Sequence, residues 1–228
     1  MNNLFYIGDT PVDVNNQWDY ENGFYLTSHV SRLAKSIAHY ELYKRIVGLP
    51  GDIVEAGTFK GASFIRFATF REMLESQHSR KLISFDIFGR FPEETTKVMD
   101  TDFIEAFSMD AGEGISKEEL KIVLEHKGIV NYELVQGNIL HTIPEYVANN
   151  PQLRISLLHI DVDVYDATFC CLSNLYERVV VGGIIVFDDY GVVHGETKAI
   201  DDFFKNNHIN ATLRKLPFYK RPSYMVKE

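Results

Sequence analysis

Cysteine is nearly missing from this chain: of 228 residues only Cys170 and Cys171 carry a thiol, and they are adjacent. Neighbouring thiols cannot staple distant segments, so a disulfide framework is excluded and a reducing, cytoplasmic compartment is expected. Long hydrophobic runs are also missing. The longest, VVVGGIIVF, falls far short of the roughly twenty residues that cross a bilayer. The opening MNNLFYIGDT has no basic stretch followed by an apolar core, so neither a secretory leader nor a membrane partner is expected. Positive charge is short as well. Against 32 Asp and Glu there are 23 Lys and Arg, a formal net charge of −9. The basic residues are scattered, as in KRIVG and LRK, and form no stripe, which argues against a nucleic-acid partner. There is no internal repeat and no low-complexity tract.

What is present is an alternation of short β-branched runs and helical stretches. DIVEAG, KLISFD, NYELVQG, LRISLLHI and GGIIVFDD read as strands, with helices expected from about Ala62 to Gln77, over KEELKIVLEHK, after Asp166 or Thr168, and around KAIDDFFKNN. That order predicts an α/β fold with a parallel sheet covered by helices on both faces. The ending, INATLRKL and SYMVKE around PFYKRP, reads as a hairpin, with Pro222 tolerated only where its strand begins. Residues 1–26 are polar, aromatic and turn-rich without a clear period. A helix follows, capped by Thr27 or Ser28, carrying Val30, Leu33, Ala34, Ile37 and Leu42 at helical spacing, and stopped by Gly48 and Pro50. A cap segment with its helix is therefore expected over 1–50 and the main unit over 51–228, within a single domain overall. The insert before NYELVQG contains an acidic, loop-like stretch, FPEETTKVMDTDFIEAFSMDAGEG, read equally as a lid or as a solvated excursion. Ser116 and Glu119 form a capping box for the helix that Gly128 closes.

Two sets of residues carry chemistry. Aspartate is a poor strand former, so Asp161 and Asp163 in HIDVDVYD and Asp188 and Asp189 in GGIIVFDDYG sit where buried strands leave the core. Four like charges at neighbouring strand ends repel unless a cation or a proton-transfer task keeps them ionised. Strand alternation puts Asp161 and Asp163 on one side, and the set suits an oxygen-ligated ion such as Mg2+. The other set opens at DIVEAGTFKGASF, where Ala56, Gly57, Thr58, Gly61 and Ser63 make the turn from the first strand into a helix. Its G-x-x-x-G spacing differs from the G-x-G-x-x-G of a pyrophosphate clasp. A phosphate-free adenosyl ligand or plain strand–helix packing each account for it. Asp86 at the next strand end can accept from ribose hydroxyls, and Gly137 and Asn138 at the third form either an adenine edge or a simple turn.

Together these segments resemble the macrocin O-methyltransferase family, S-adenosylmethionine enzymes that need a metal and methylate sugar hydroxyls of natural products. The resemblance runs from Gly51 to about Asp202 and rests on GDIVEAGTFKGAS, HIDVDVYDAT and GGIIVFDDYG followed by G-x-x-K-A-I-D-D-F-F, with DIFGRFP adding to it. It implies a Rossmann-like class I methyltransferase fold, a mostly parallel seven-stranded sheet closed by a C-terminal antiparallel hairpin. It further implies S-adenosyl-L-methionine held by Glu55, Gly57, Gly61, Ser63 and Asp86, and Mg2+ held by Asp161, Asp188 and Asp189. Asp163 is the implied base, with His194 a second candidate. The expected acceptor is a glycoside, a nucleotide-sugar or a glycan-type product, and a homo-oligomer is possible. Two other readings share parts of the pattern. A catechol or phenol O-methyltransferase would use the same ion, with Trp18, Tyr20, Phe24 and Tyr25 stacking a flat acceptor, and a glycosyltransferase would use the D-x-D of Asp161 and Asp163.

Overall fold

The computed structural model describes residues 4–7, 10–90 and 98–228. A small antiparallel hairpin, β1 (Leu4–Ile7) and β2 (Thr10–Asp13), precedes two helices, α1 (Gln17–Thr27) and α2 (Val30–Lys44). Then follow β3 (Asp52–Ala56), α3 (Ala62–Leu74), β4 (Leu82–Asp86), α4 (Val98–Ala111), α5 (Lys117–His126), β5 (Tyr132–Gln136) and α6 (Ile139–Asn149). The chain continues through β6 (Ile155–Ile160), α7 (Tyr165–Leu175), β7 (Val179–Phe187), α8 (His194–Asn206), β8 (Arg214–Lys215) and β9 (Ser223–Val226). No helix among the described residues is long and apolar enough to cross a membrane.

Seven strands form one sheet in the order β5-β4-β3-β6-β7-β9-β8. The first five run parallel, and β9 and β8 close the sheet antiparallel, with Pro222 just ahead of β9. The chain starts at the middle, winds outward through β4 and β5, then restarts beside β3 with β6. Such a reversal opens a crevice at the carboxyl ends of the two central strands. The register brings the ends level: Ala56 pairs with Phe85 and Ile160, and Ile160 with Phe187.

Alternation along the strands divides the core into two layers. Val54, Phe85, Leu158, Ile160, Ile185 and Phe187 face α6, α7 and α8. Ile53, Leu82, Leu157, Ile184 and Val186 face α2, α3 and α5, where Ala38, Leu42 and Tyr43 of α2 are completely buried. Glu55 and His159 have the parity of that second face, which decides what they meet below.

Four local expectations change. Helix α1 occupies part of the segment read as aperiodic, and it buries no residue, so no apolar stripe was there to detect. Helix α2 is capped by His29, whose ring nitrogen accepts from the Ser31 N–H, and not by Thr27 or Ser28. The acidic stretch expected to be loop-like is helical over α4, while its beginning, 91–97, lies outside the described residues. Neither Asp166 nor Thr168 caps α7: the cap position is Val164, and the Tyr165 N–H donates to Asp100 of α4 at 3.0 Å. A cap supplied by another helix leaves no trace in local sequence. The capping box of Ser116 and Glu119 is present on α5 as read.

Candidate active site

At the end of β3 the chain must turn within a hair's breadth of the next strand's exit. A Cβ on Gly57 would lie 1.8 Å from the Asp161 carbonyl oxygen, and Gly57 sits at φ +86, so only glycine fits. The turn is then fastened by Asp86. One of its oxygens accepts from the Thr58 and Phe59 N–H groups at 2.6 and 3.0 Å, and the other from the Phe88 N–H at 2.6 Å. Burial pushes this carboxyl up, and the three N–H donors oppose the shift. Asn138 caps α6 by accepting from the Leu140 N–H, and Gly137 stands at φ +139 beside it.

These groups share a cleft of about 560 Å3 at the carboxyl edge of the sheet. Gly57, Thr58, Ser63, Asp86, Gly137 and Asn138 line one part, and all four aspartates line another. Three expected cofactor contacts lie elsewhere. Glu55 is fully buried beneath the turn, Ala56 is in the core, and Gly61 caps α3 at φ +81. The aromatic residues Trp18, Tyr20, Phe24 and Tyr25 stay on exposed α1, outside the cleft lining, and so does His194, the first residue of α8.

The carboxylates converge, though not by strand alternation. Strand β6 ends at Ile160, and Asp163 is brought round by a left-handed backbone at φ +60, a conformation that costs an L-residue about 1 kcal/mol or more. As a result one oxygen each of Asp161, Asp163 and Asp189 lies within 4.8 Å of the others. Asp188, expected in that trio, is turned away. One of its oxygens accepts from Lys35 Nζ at 2.5 Å, and the other lies 3.3 Å from His159 Nε2 and 3.7 Å from His39 Nε2. Asp189 keeps a different cation, pairing with Arg221 while its N–H donates to the fully buried Glu196.

Protons follow from these pairings. Burial, then the charge of Asp188, pushes the Asp161 carboxyl up to about 7. Burial and the charge of Asp161 push Asp163 well above the carboxylate range, and burial and Asp188 raise Asp189. Asp188 goes the other way: burial would raise it, but Lys35 and the hydrogen bond from His159 hold it well below. Burial opposes a charge on His159, yet its bonds to Asp188 and Glu55 push it up to about 10. Acidic and basic side chains thus alternate from Glu55 through His159, Asp188 and Lys35 to Asp161, which is 3.7 Å from Lys35. His39 has burial dominant and is pushed down to about 3.

Sequence reasoning missed Lys35, His39, His159, Glu196 and Arg221. His159 left a signal, a histidine inside an otherwise apolar strand run; Lys35 left none, because an inward-facing lysine on an amphipathic helix reads as polar surface. The donor set is all-oxygen and mutually close, which fits a hard divalent cation. Gly57, Thr58, Asp86, Gly137 and Asn138 all line the same cleft, which leaves room beside the turn for an adenosyl ligand.

The chain matches the family model described as Macrocin-O-methyltransferase (TylF) over residues 34–219. It is 26% identical over 149 residues to the 8-demethyl-8-(2,3-dimethoxy-alpha-L-rhamnosyl)-tetracenomycin-C 4'-O-methyltransferase of Streptomyces olivaceus, covering 64% of this chain and 55% of that one. To the demethyldecarbamoylnovobiocin O-methyltransferase of Streptomyces niveus it is also 26% identical, over 68% of this chain and 58% of that one. The chain therefore spans little more than half the length of these curated relatives. Among solved structures, the calicheamicin methyltransferase CalS11 superposes with a TM-score of 0.70 at 22% identity, over 96% of this chain and 87% of that one. At that identity the likeness establishes the fold.

Proposed function

Because the chain belongs to the macrocin O-methyltransferase family, we propose that it moves the methyl group of S-adenosyl-L-methionine to a sugar hydroxyl, with Mg2+ at the carboxylates. The acceptor is a glycoside, a nucleotide-sugar or a glycan-type natural product. One observation carries this reading: the converging oxygens of Asp161, Asp163 and Asp189 face the Gly57 turn across a single cleft.

Asp86, with Thr58, Gly137 and Asn138, would hold the adenosyl part of the donor. Asp161 and Asp189 would hold the ion, with the ionised Asp188 adding its charge from behind. When bound, the ion lowers the pKa of a hydroxyl and fixes its position. Asp163 is the base, because one of its oxygens stands within 4.8 Å of those of Asp161 and Asp189 that would hold the ion, within reach of a hydroxyl placed there. The acceptor oxygen bonds to the methyl carbon as the carbon–sulfur bond breaks, and S-adenosyl-L-homocysteine leaves with both electrons on sulfur. An in-line reaction calls mainly for positioning, and the chain provides the Asp86-fastened turn on one side of the cleft and an anchored aspartate cluster on the other.

Mass spectrometry of candidate glycosides and catechols incubated with the protein, donor and Mg2+ tests the reading. A single added methyl on a sugar ring, lost on chelation of the metal, is expected. Methylation confined to catechols would overturn the acceptor class, and undiminished turnover in chelator would overturn the metal.

A further inference from the structure

Among the described residues five cations line the cleft: Arg32, Lys35, Lys60, Arg66 and Arg221. Three have partners. Lys35 pairs with Asp188, Arg221 with Asp189, and Lys60 donates to the Ala111 carbonyl at 2.6 Å. Neither guanidinium of Arg32 and Arg66 has a hydrogen-bond or ion-pair partner among the described residues. Burial and then the like charge of Arg32 pull the Arg66 guanidinium down. Two guanidiniums facing one cavity with nothing between them are a site prepared for an anion.

Their placement is built by spacing. On α2, Arg32 and Lys35 are one turn apart and both reach the cleft; on α3, Ser63 and Arg66 are one turn apart and do the same. Ser63 is 7% exposed, and its hydroxyl makes no hydrogen bond among the described residues. Gly61 brings no side-chain cap, so the first N–H groups of α3 are open to a negative group as well. The donor is an adenosyl group at one end and an amino acid at the other, with the sulfonium between. If the adenosyl group lies at Asp86 and Asn138 and the methyl faces the aspartates, the amino-acid end continues to the wall made by α2 and α3.

We infer that Arg32 and Arg66, with Ser63, form a clamp for the α-carboxylate of the methyl donor. Arg32 lies before residue 34, where the family match begins, so the first turn of α2 completes the donor site and donor binding ties α2 to α3. The assignment rests on the proposed donor. A planar guanidinium binds a carboxylate through two parallel N–H donors, and two of them match the oxygens of a single carboxylate.

Calorimetric titration of the full chain with S-adenosylhomocysteine and with 5′-methylthioadenosine, which lacks the amino-acid end, tests it. Arg66→Gln and Arg32→Gln should each weaken S-adenosylhomocysteine about tenfold and leave 5′-methylthioadenosine within about twofold of the unaltered protein, the resolution of such titrations. Arg66→Lys should recover part of the loss. Equal S-adenosylhomocysteine affinity in all variants overturns the clamp, as does a parallel loss for both ligands, which marks a structural role. Normal donor binding with a raised acceptor KM assigns the anion to the acceptor and also overturns it. Failure of the unaltered protein to bind either adenosyl ligand removes the donor itself, a different result from any of these.

Discussion

Asp161 and Asp163 are two residues apart and carry different work, because one continues the line of β6 and the other sits in a left-handed turn beyond it. Asp161→Asn is expected to abolish metal-dependent turnover while S-adenosylhomocysteine still binds. Asp163→Asn should slow turnover about a hundredfold or more and change Mg2+ affinity little. An equal loss of metal binding in both variants would make Asp163 a ligand. The raised carboxyl of Asp161 fixes a pH dependence too. Below about pH 7 a proton occupies it, and a cation must displace that proton. Mg2+ affinity is therefore expected to rise between about pH 6 and pH 8 and to level off once Asp161 is ionised. Calorimetry across that range checks the sign, and an affinity indifferent to pH would remove Asp161 from the ion site.

At the level of elements, the opposite edge of the sheet does the holding. Arg80, 5% exposed, donates to the Gly51, Ile46 and Leu49 carbonyls, to the Ser156 hydroxyl, and to both oxygens of Glu75. It joins the α2–β3 connection to α3 and β6 at the end of the sheet remote from the cleft. Arg71, fully buried, plays a matching part for the β5 side through the Arg80, Val130 and Asn131 carbonyls. Arg80→Met would leave a buried carboxylate and several carbonyls unanswered, a loss of about 3–5 kcal/mol, or roughly 10 °C of melting temperature at this chain length. S-adenosylhomocysteine affinity below the melting transition should be unchanged. A weakened ligand affinity in folded Arg80→Met protein would show that the two edges are coupled. The strands of the seven-stranded sheet, α3, α5, α8 and the capping box were legible in the sequence, because their signals are local: β-branched runs, a Ser-x-x-Glu, a glycine past the helix end; the β1–β2 hairpin was not. Helices α1 and α4 were not, because neither owes its place to an apolar stripe. Helix α4 is tied down by Asp100 at the start of α7 and by Phe107 against Phe59.

On the scale of the whole molecule, charge and apolar surface are unevenly spread. The protein carries a net charge of −9, yet among the described residues its cleft gathers five cations against six aspartates. Helix α1 and the start of α2 expose Trp18 at 69%, Tyr25 at 62%, Leu26 at 84% and Val30 at 73%. Apolar groups so concentrated on the surface of a single chain favour association, and a homo-oligomer joined through α1 is proposed. Tyr25→Glu combined with Leu26→Glu should then reduce the sedimenting mass to that of one 26.2 kDa chain. An unaltered protein that already sediments at that mass would dispose of the idea.

The sequence by itself determined the order of strands and helices, the need for glycine where β3 turns into α3, and the gathering of four aspartates at two strand ends. Each of these is written in neighbouring residues, through side-chain period, backbone freedom or charge. Only the tertiary structure decided which aspartates meet. A left-handed residue turned Asp163 inward, while Lys35 from α2 and His159 from β6 drew Asp188 aside. Those partners are separated from Asp188 by 153 and 29 residues. Electrostatic energy depends on distance in space, and a one-dimensional pattern does not record it.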